Sequence, residues 1–157
     1  MFNACSIAGF DQTRDMSKLN DSCSHRLHEA VPVCAGDRML SGQTILIVEA
    51  QFLIALDIQR VLEDFGAAQT VFTRNTPEAI DAASRWPGLA LALVEVHADN
   101  QDDIVLLEGL QQAGVRLVLM ASDVALRRGN AGFPASPMLI KPFTEEDLAS
   151  AIRQALA

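Results

Sequence analysis

The run Leu89-Ala90-Leu91-Ala92-Leu93-Val94, closed by Glu95, constrains this chain more than any other segment. Six consecutive apolar residues, bounded by Trp86-Pro87-Gly88 and by an acid, read as a strand that is buried on both faces. Two shorter runs share the form. Thr44-Ile45-Leu46-Ile47-Val48 ends in Glu49, and Met138-Leu139-Ile140 ends in Lys141-Pro142-Phe143. Charged residues at strand ends stand at the rim of a sheet, where open α/β folds place their chemistry.

The intervals between these runs carry helical periodicity. Phe52, Ala55, Leu56, Ile58, Val61 and Leu62 form one stripe, ended near Gly66 in the manner of a C-cap. A short strand follows at Thr70 to Thr73. Asn75 or Thr76 caps the next helix, with Pro77 at its first position and Glu78 in its first turn, and Trp86-Pro87-Gly88 stops it. Asp102 or Asp103 starts a helix through Leu106, Leu107 and Leu110 to Gly114, followed by a strand from Val115 to Met120. Residues 121–137 include Arg127, Arg128, Gly129, Asn130, Gly132, Pro134 and Pro137, which leaves room for little more than one helical turn, so a full fourth helix is not expected. Thr144 caps a last helix with Glu145, Glu146 and Asp147 in its first turn and Leu148, Ile152 and Leu156 on its apolar stripe. Strands alternating with helices imply parallel pairing, because each right-handed crossover needs a helix to return the chain. Five strands and about five helical segments predict an α/β fold with an open, doubly wound five-stranded parallel sheet.

Residues 1–43 are rich in Ser, Asp, Asn and Gly without sustained periodicity, and they read as a largely disordered extension to a domain over residues 44–157. Within them Asp15 to Ala30 has the loose spacing of a transient helix. A second reading takes Met39, five residues before the first strand, as the true start. The net charge is −8, and from Thr44 onward eight basic side chains face fifteen acidic ones. That balance argues against nucleic acid as a partner, since neutralising phosphates needs a basic face. No apolar run approaches the roughly 18 residues of a membrane span and no signal-peptide core is present, so a soluble cytoplasmic protein is expected. Cys5, Cys23 and Cys34 all lie in the N-terminal segment, so the domain needs no disulfide. Cys23, His25, His28 and Cys34 could supply a tetrahedral zinc set, but their spacing matches no zinc finger, and no metal site is assigned.

Strand ends bearing acid, acid and lysine in this order, separated by helices, resemble the receiver domain of bacterial two-component response regulators, over residues 44–157. The resemblance implies a flavodoxin-like fold and a phosphorelay role. In that family an aspartate ending the third strand accepts a phosphoryl group from a histidine kinase, and two acids after the first strand hold Mg²⁺. A hydroxyl after the fourth strand and a lysine before a cis proline after the fifth contact the phosphoryl oxygens. Matched here, the acid pair becomes Glu49 and Ala50, the acceptor Glu95, the hydroxyl position Ala121, and the lysine and proline Lys141 and Pro142. Met138 stands where the family often has its signalling aromatic residue. The short connection from Ala121 and the run Pro137 to Phe143 are similar to an atypical alphaproteobacterial subclass with a reduced fourth helix.

Each departure has a chemical consequence. Ala50 removes a carboxylate from the cation site, so Mg²⁺ affinity should be weak or absent and no cofactor is expected. Glu95 carries one methylene more than aspartate, which shifts its carboxylate roughly 1.5 Å toward the space of the incoming group, and in-line attack tolerates little misplacement. Ala121 lacks the reporting hydroxyl, and Ser122 should point away from the site. Glu95 and Lys141 are positioned to form a fixed ion pair, and His97 is expected to be a solvated loop residue. The reading that results is a stand-alone, degenerate receiver (a pseudo-receiver), not an enzyme, that acts by binding a histidine kinase, a phosphotransfer protein or another regulator; homodimerisation stays open. Two alternatives stand beside it: an atypical phosphoryl acceptor using Glu95 or Asp99, and a small-ligand sensor at the switch point of the sheet. Against the latter, Glu49-Ala50-Gln51 occupies the turn where a glycine-rich phosphate loop would lie.

Overall fold

The apolar runs form five parallel strands: β1 (Thr44–Val48), β2 (Gln69–Thr73), β3 (Leu89–Glu95), β4 (Arg116–Ala121) and β5 (Met138–Ile140). Their order in the sheet is β2-β1-β3-β4-β5. Among the described residues four α-helices join them, α1 (Phe52–Asp64), α2 (Thr76–Arg85), α3 (Gln101–Gln112) and α4 (Glu145–Leu156), together with a 3₁₀ turn at Val124–Arg127. The computed structural model describes residues 38–98, 100–127 and 133–157. The expectations for residues 1–37, including the Cys23, His25, His28 and Cys34 set, for Asp99 and for residues 128–132 fall outside the described residues.

Period-two alternation divides the core into two layers. Ile45, Ile47, Leu91, Leu93, Val118, Met120 and Leu139 face one side, where they meet Ala55, Ile58 and Leu62 of α1 and Leu148 and Ile152 of α4. Leu46, Val48, Ala92, Val94, Leu117, Leu119 and Ala121 face the other, packing with Ala79 and Ala82 of α2 and Leu106, Leu107 and Leu110 of α3. The 3₁₀ turn stands in the fourth-helix interval, as the Gly- and Pro-rich sequence implied. Half-buried Leu126 and buried Phe133 pack against the second layer from this connection.

Several local expectations are corrected. The α1 stripe is narrower than its sequence suggests: Phe52 and Leu56 are exposed, and Ala55, Ile58, Val61 and Leu62 carry the burial. Asn75 rather than Thr76 caps α2, which places Pro77 at its second position. α3 begins at Gln101, ahead of both aspartates, with Asn100 accepting from the Asp102 amide. β4 runs one residue further than expected, to Ala121. Thr144 and Asp147 form the reciprocal capping box that opens α4.

Packed structure also begins before Thr44. Leu40 is completely buried in the α1–α4 layer, and its amide donates to the Phe65 carbonyl at 3.1 Å. Ser41 bridges to Ala67, and Gly66, at φ +84°, passes so close to Arg38 that an added β-carbon would lie 3.3 Å from the Arg38 side chain. Leu40→Ala is therefore expected to lower unfolding free energy by about 2–5 kcal/mol, the range for deleting a buried leucine side chain. Chemical denaturation checks this; a change within about 0.5 kcal/mol, as for a surface position, would show that Leu40 is not part of the core.

Candidate functional site

Three strand ends converge on one cluster of charge. Glu49, Glu95 and Lys141 continue the side-chain alternation of Ile47, Leu93 and Leu139, so all three leave the sheet toward the α1–α4 side. The ladder persists up to these positions: the Glu49 amide donates to the Thr73 carbonyl at 3.0 Å, and the Lys141 amide to the Ala121 carbonyl at 2.8 Å. The Lys141 ammonium stands 2.5 Å from Glu49 Oε2 and 2.6 Å from Glu95 Oε1. Glu49 is wholly buried, while Glu95 and Lys141 are about nine-tenths buried.

The two carboxylates are held differently. Glu49 Oε1 accepts from the Gln51 amide at 2.9 Å, which fixes the turn into α1. Its Oε2 has the ionic contact with Lys141 but no aligned hydrogen bond. Glu95 accepts a true hydrogen bond from Lys141, and its Oε2 lies 3.4 Å from the Ala50 amide. Burial alone pushes the Glu95 carboxyl upward, yet the Lys141 hydrogen bond and charge, with the Ala50 amide and the nearby His97, together hold it below its ordinary value of 4.5. Glu95 is thus a carboxylate at neutral pH, already engaged on both oxygens.

The remaining expected positions fall around this cluster. Ala121 ends β4 fully buried in the α2–α3 layer, in register with Ile140. Ser122, expected to point away, instead lines a groove of about 430 Å³ together with Gln51, Lys141, Pro142 and Phe143. The Lys141–Pro142 peptide is cis. Met138 is half-buried against the α2–α3 layer and pairs with Leu119. His97 is exposed, as expected, but it is anchored: its amide donates to Asp103 Oδ2 at 3.0 Å, and its Nδ1 lies 3.3 Å from the same oxygen.

Asp103 is the residue that sequence reasoning passed over. Its place in the sequence is that of a helix-start acid, whereas it is buried and its Oδ1 accepts the Thr76 hydroxyl at 2.5 Å. One carboxylate therefore ties the β3–α3 loop, just past Glu95, to the first turn of α2. The available signal was two adjacent aspartates at a helix start, where only one is needed for the dipole.

Two outcomes test this arrangement. Lys141→Met leaves two buried carboxylates without their cation and is expected to lower stability by about 3–5 kcal/mol by chemical denaturation. The Glu95 effect has a defined sign: because its pKa falls on folding, its ionisation adds stability above pH 4.5 that is lost as pH drops through the lower folded value. Glu95→Gln should flatten that acid-side loss, measured as the slope of unfolding free energy against pH.

No protein-family model matches this sequence, and no curated protein matches it either. Among solved structures, the chain is similar to a response regulator receiver protein from Sinorhizobium medicae WSM419, with 22% identity, 73% of this chain and 94% of that one covered, and a TM-score of 0.63. A response regulator from Thermotoga maritima matches at 18% identity over 73% and 97% of the two chains, with a TM-score of 0.61. The signal receiver domain of an HD domain-containing protein from Pseudomonas fluorescens Pf-5 matches at 24% identity over 73% and 94%, with a TM-score of 0.59. Among the described residues no helix is long and apolar enough to cross a membrane. The strand order, the helical connections and these likenesses agree: the fold of this chain is that of response-regulator receiver domains.

Proposed function

We propose that this domain is a pseudo-receiver, which works in two-component signalling by binding other proteins and not by accepting a phosphoryl group on an aspartate. The observation that carries this reading is the position of the Lys141 ammonium, within 2.6 Å of both remaining carboxylates. In phosphoryl transfer the acceptor oxygen must be free for in-line attack, and a cation must neutralise charge on the transferred group. Here Glu95 stands at the acceptor position with one oxygen hydrogen-bonded to lysine and the other against the Ala50 amide.

The residues present do not fit the divalent cation that receiver pockets use. Mg²⁺ requires near-octahedral oxygen donors at about 2.0–2.1 Å. Ala50 offers no side-chain oxygen, and Lys141 already compensates Glu49 and Glu95 from the space between them. The cluster instead keeps the rim in one arrangement, with a carboxylate partly imitating the charge of a phosphoryl group. This favours a constitutive binder, whose partners are a histidine kinase, a phosphotransfer protein or another regulator, and it assigns the domain no enzymatic activity of its own.

Incubation with a small phosphodonor and millimolar Mg²⁺, followed by intact mass, is expected to give no adduct. Ala50→Asp and Glu95→Asp together should restore phosphorylation, while Glu95→Asp alone should restore little. An adduct on the parent chain would make it an atypical acceptor instead, and full modification of the single variant would show that Ala50 is no barrier to phosphorylation.

A further inference from the structure

At the opposite end of β3 from Glu95, an apolar groove of about 390 Å³ runs between α2 and α3. Its lining includes Ile80, Trp86, Leu89, Val105, Gly109 and Ala113. Leu89 begins the strand that Glu95 ends, so about 20 Å of extended chain separates this groove from the ionic cluster. Ile80, Trp86 and Val105 are 41%, 38% and 53% exposed. Singly such residues are ordinary on a surface, but gathered around one groove they make a contiguous apolar patch of the kind that marks interaction sites.

The groove floor has the form a helix needs. Gly109 sits mid-helix in α3, where glycine is about 0.5–1 kcal/mol less favourable than alanine. Among the described residues no steric contact calls for glycine there, since an added β-carbon would meet no atom within 4 Å. With Ala113 one turn further on, it leaves the backbone of α3 bare between the apolar walls, so that a second helix can approach to the usual 8–10 Å.

Charge at the rim selects the occupant. Asp102 lies one turn before Leu106 on α3, and Glu108 stands beside Gly109; both are exposed. On α2, Arg85 is engaged by Asp81. Arg116, which follows Val115 of the groove, donates to the Leu156 carbonyl of α4. With Arg85 matched by Asp81, the acids Asp102 and Glu108 outweigh the single remaining cation, Arg116, so the rim is net negative, and a second copy would bring the same acids against themselves. We propose that the α2–α3 groove docks an amphipathic helix of a partner protein whose apolar stripe is flanked by lysine and arginine. This surface does not depend on the pseudo-receiver reading of the Glu95 cluster.

Trp86 is the single tryptophan of the chain and reports on the groove directly. The full chain is titrated with a tryptophan-free synthetic helix of about 18 residues, one face leucine and the flanks Lys and Arg, and with the same helix carrying Glu flanks. The basic helix should give a saturable blue shift of Trp86 emission, with affinity falling about tenfold or more between low and high salt and at least about tenfold weaker binding of the Glu-flanked helix. Gly109→Leu, which fills open space, and Val105→Gln, at an exposed position, should each reduce the shift severalfold with an unchanged thermal melt; should Gly109→Leu fail to fold, Val105→Gln decides. Asp102→Lys with Glu108→Lys should reverse the peptide preference. The proposal is overturned by no response to the basic helix, by equal binding of both helices, or by unchanged binding in the folded groove variants. Concentration-dependent burial of Trp86 with dimer formation in sedimentation would also overturn it, by making a second copy the occupant.

Discussion

One lysine holds the functional end of this molecule together. Lys141 leaves the far edge of the sheet and reaches Glu95 on a strand two positions away and Glu49 beyond β1. Neighbouring strands are about 4.8 Å apart, so the gap from β5 to β3 is roughly 10 Å. A four-carbon lysine stem and a glutamate side chain together close it. The longer acid at the end of β3 thus has a structural consequence as well as a chemical one: its carboxylate comes within hydrogen-bonding distance of the ammonium. Two buried carboxylates sharing one cation leave the cluster short of positive charge. The amides of Ala50 and Gln51 offset part of that deficit.

On the proposed reading, the same cluster separates a receiver fold from receiver chemistry. The fold needs the alternating apolar strands and the two helical layers, and these persist at identities of 18–24% to the solved receivers described above. The chemistry needs a free acceptor oxygen, a complete acidic cation site and a responsive hydroxyl, each of which depends on one residue. Asp103 adds a second fixed point beside this rim, because its buried carboxylate joins the loop after Glu95 to the start of α2. A rim clasped on both sides suits a permanent recognition surface better than a switch, which needs an element with two arrangements of similar energy.

Much of this was legible in the order of residues. The apolar runs announced all five strands, with β3 and β5 at their observed bounds, because a strand buried on both faces cannot tolerate interruption by polar residues. Glycine and proline after Ala121 foretold the reduced fourth helix, since they remove the hydrogen-bond donors and conformational preference that a helix requires. The acids at two strand ends and the lysine at a third pointed to a shared rim. Helix faces were less legible: Phe52 and Leu56 fit an apolar stripe but lie exposed, because a stripe defines a direction and only the neighbouring layer decides how wide a buried face becomes.

What the sequence determined by itself was local: where strands and helices form and which residues end them. Tertiary structure alone decided what those residues touch. Strand order set which ends are neighbours, so that one lysine serves two carboxylates. Packing between α2 and α3 drew Asp103 inward to Thr76 and His97. Packing in the α1–α4 layer likewise drew Leu40, which precedes β1 and lies outside any periodic pattern, into the core. Contacts of this kind join residues far apart in the chain or outside a repeating period, and no local pattern of residue types encodes the distance between them.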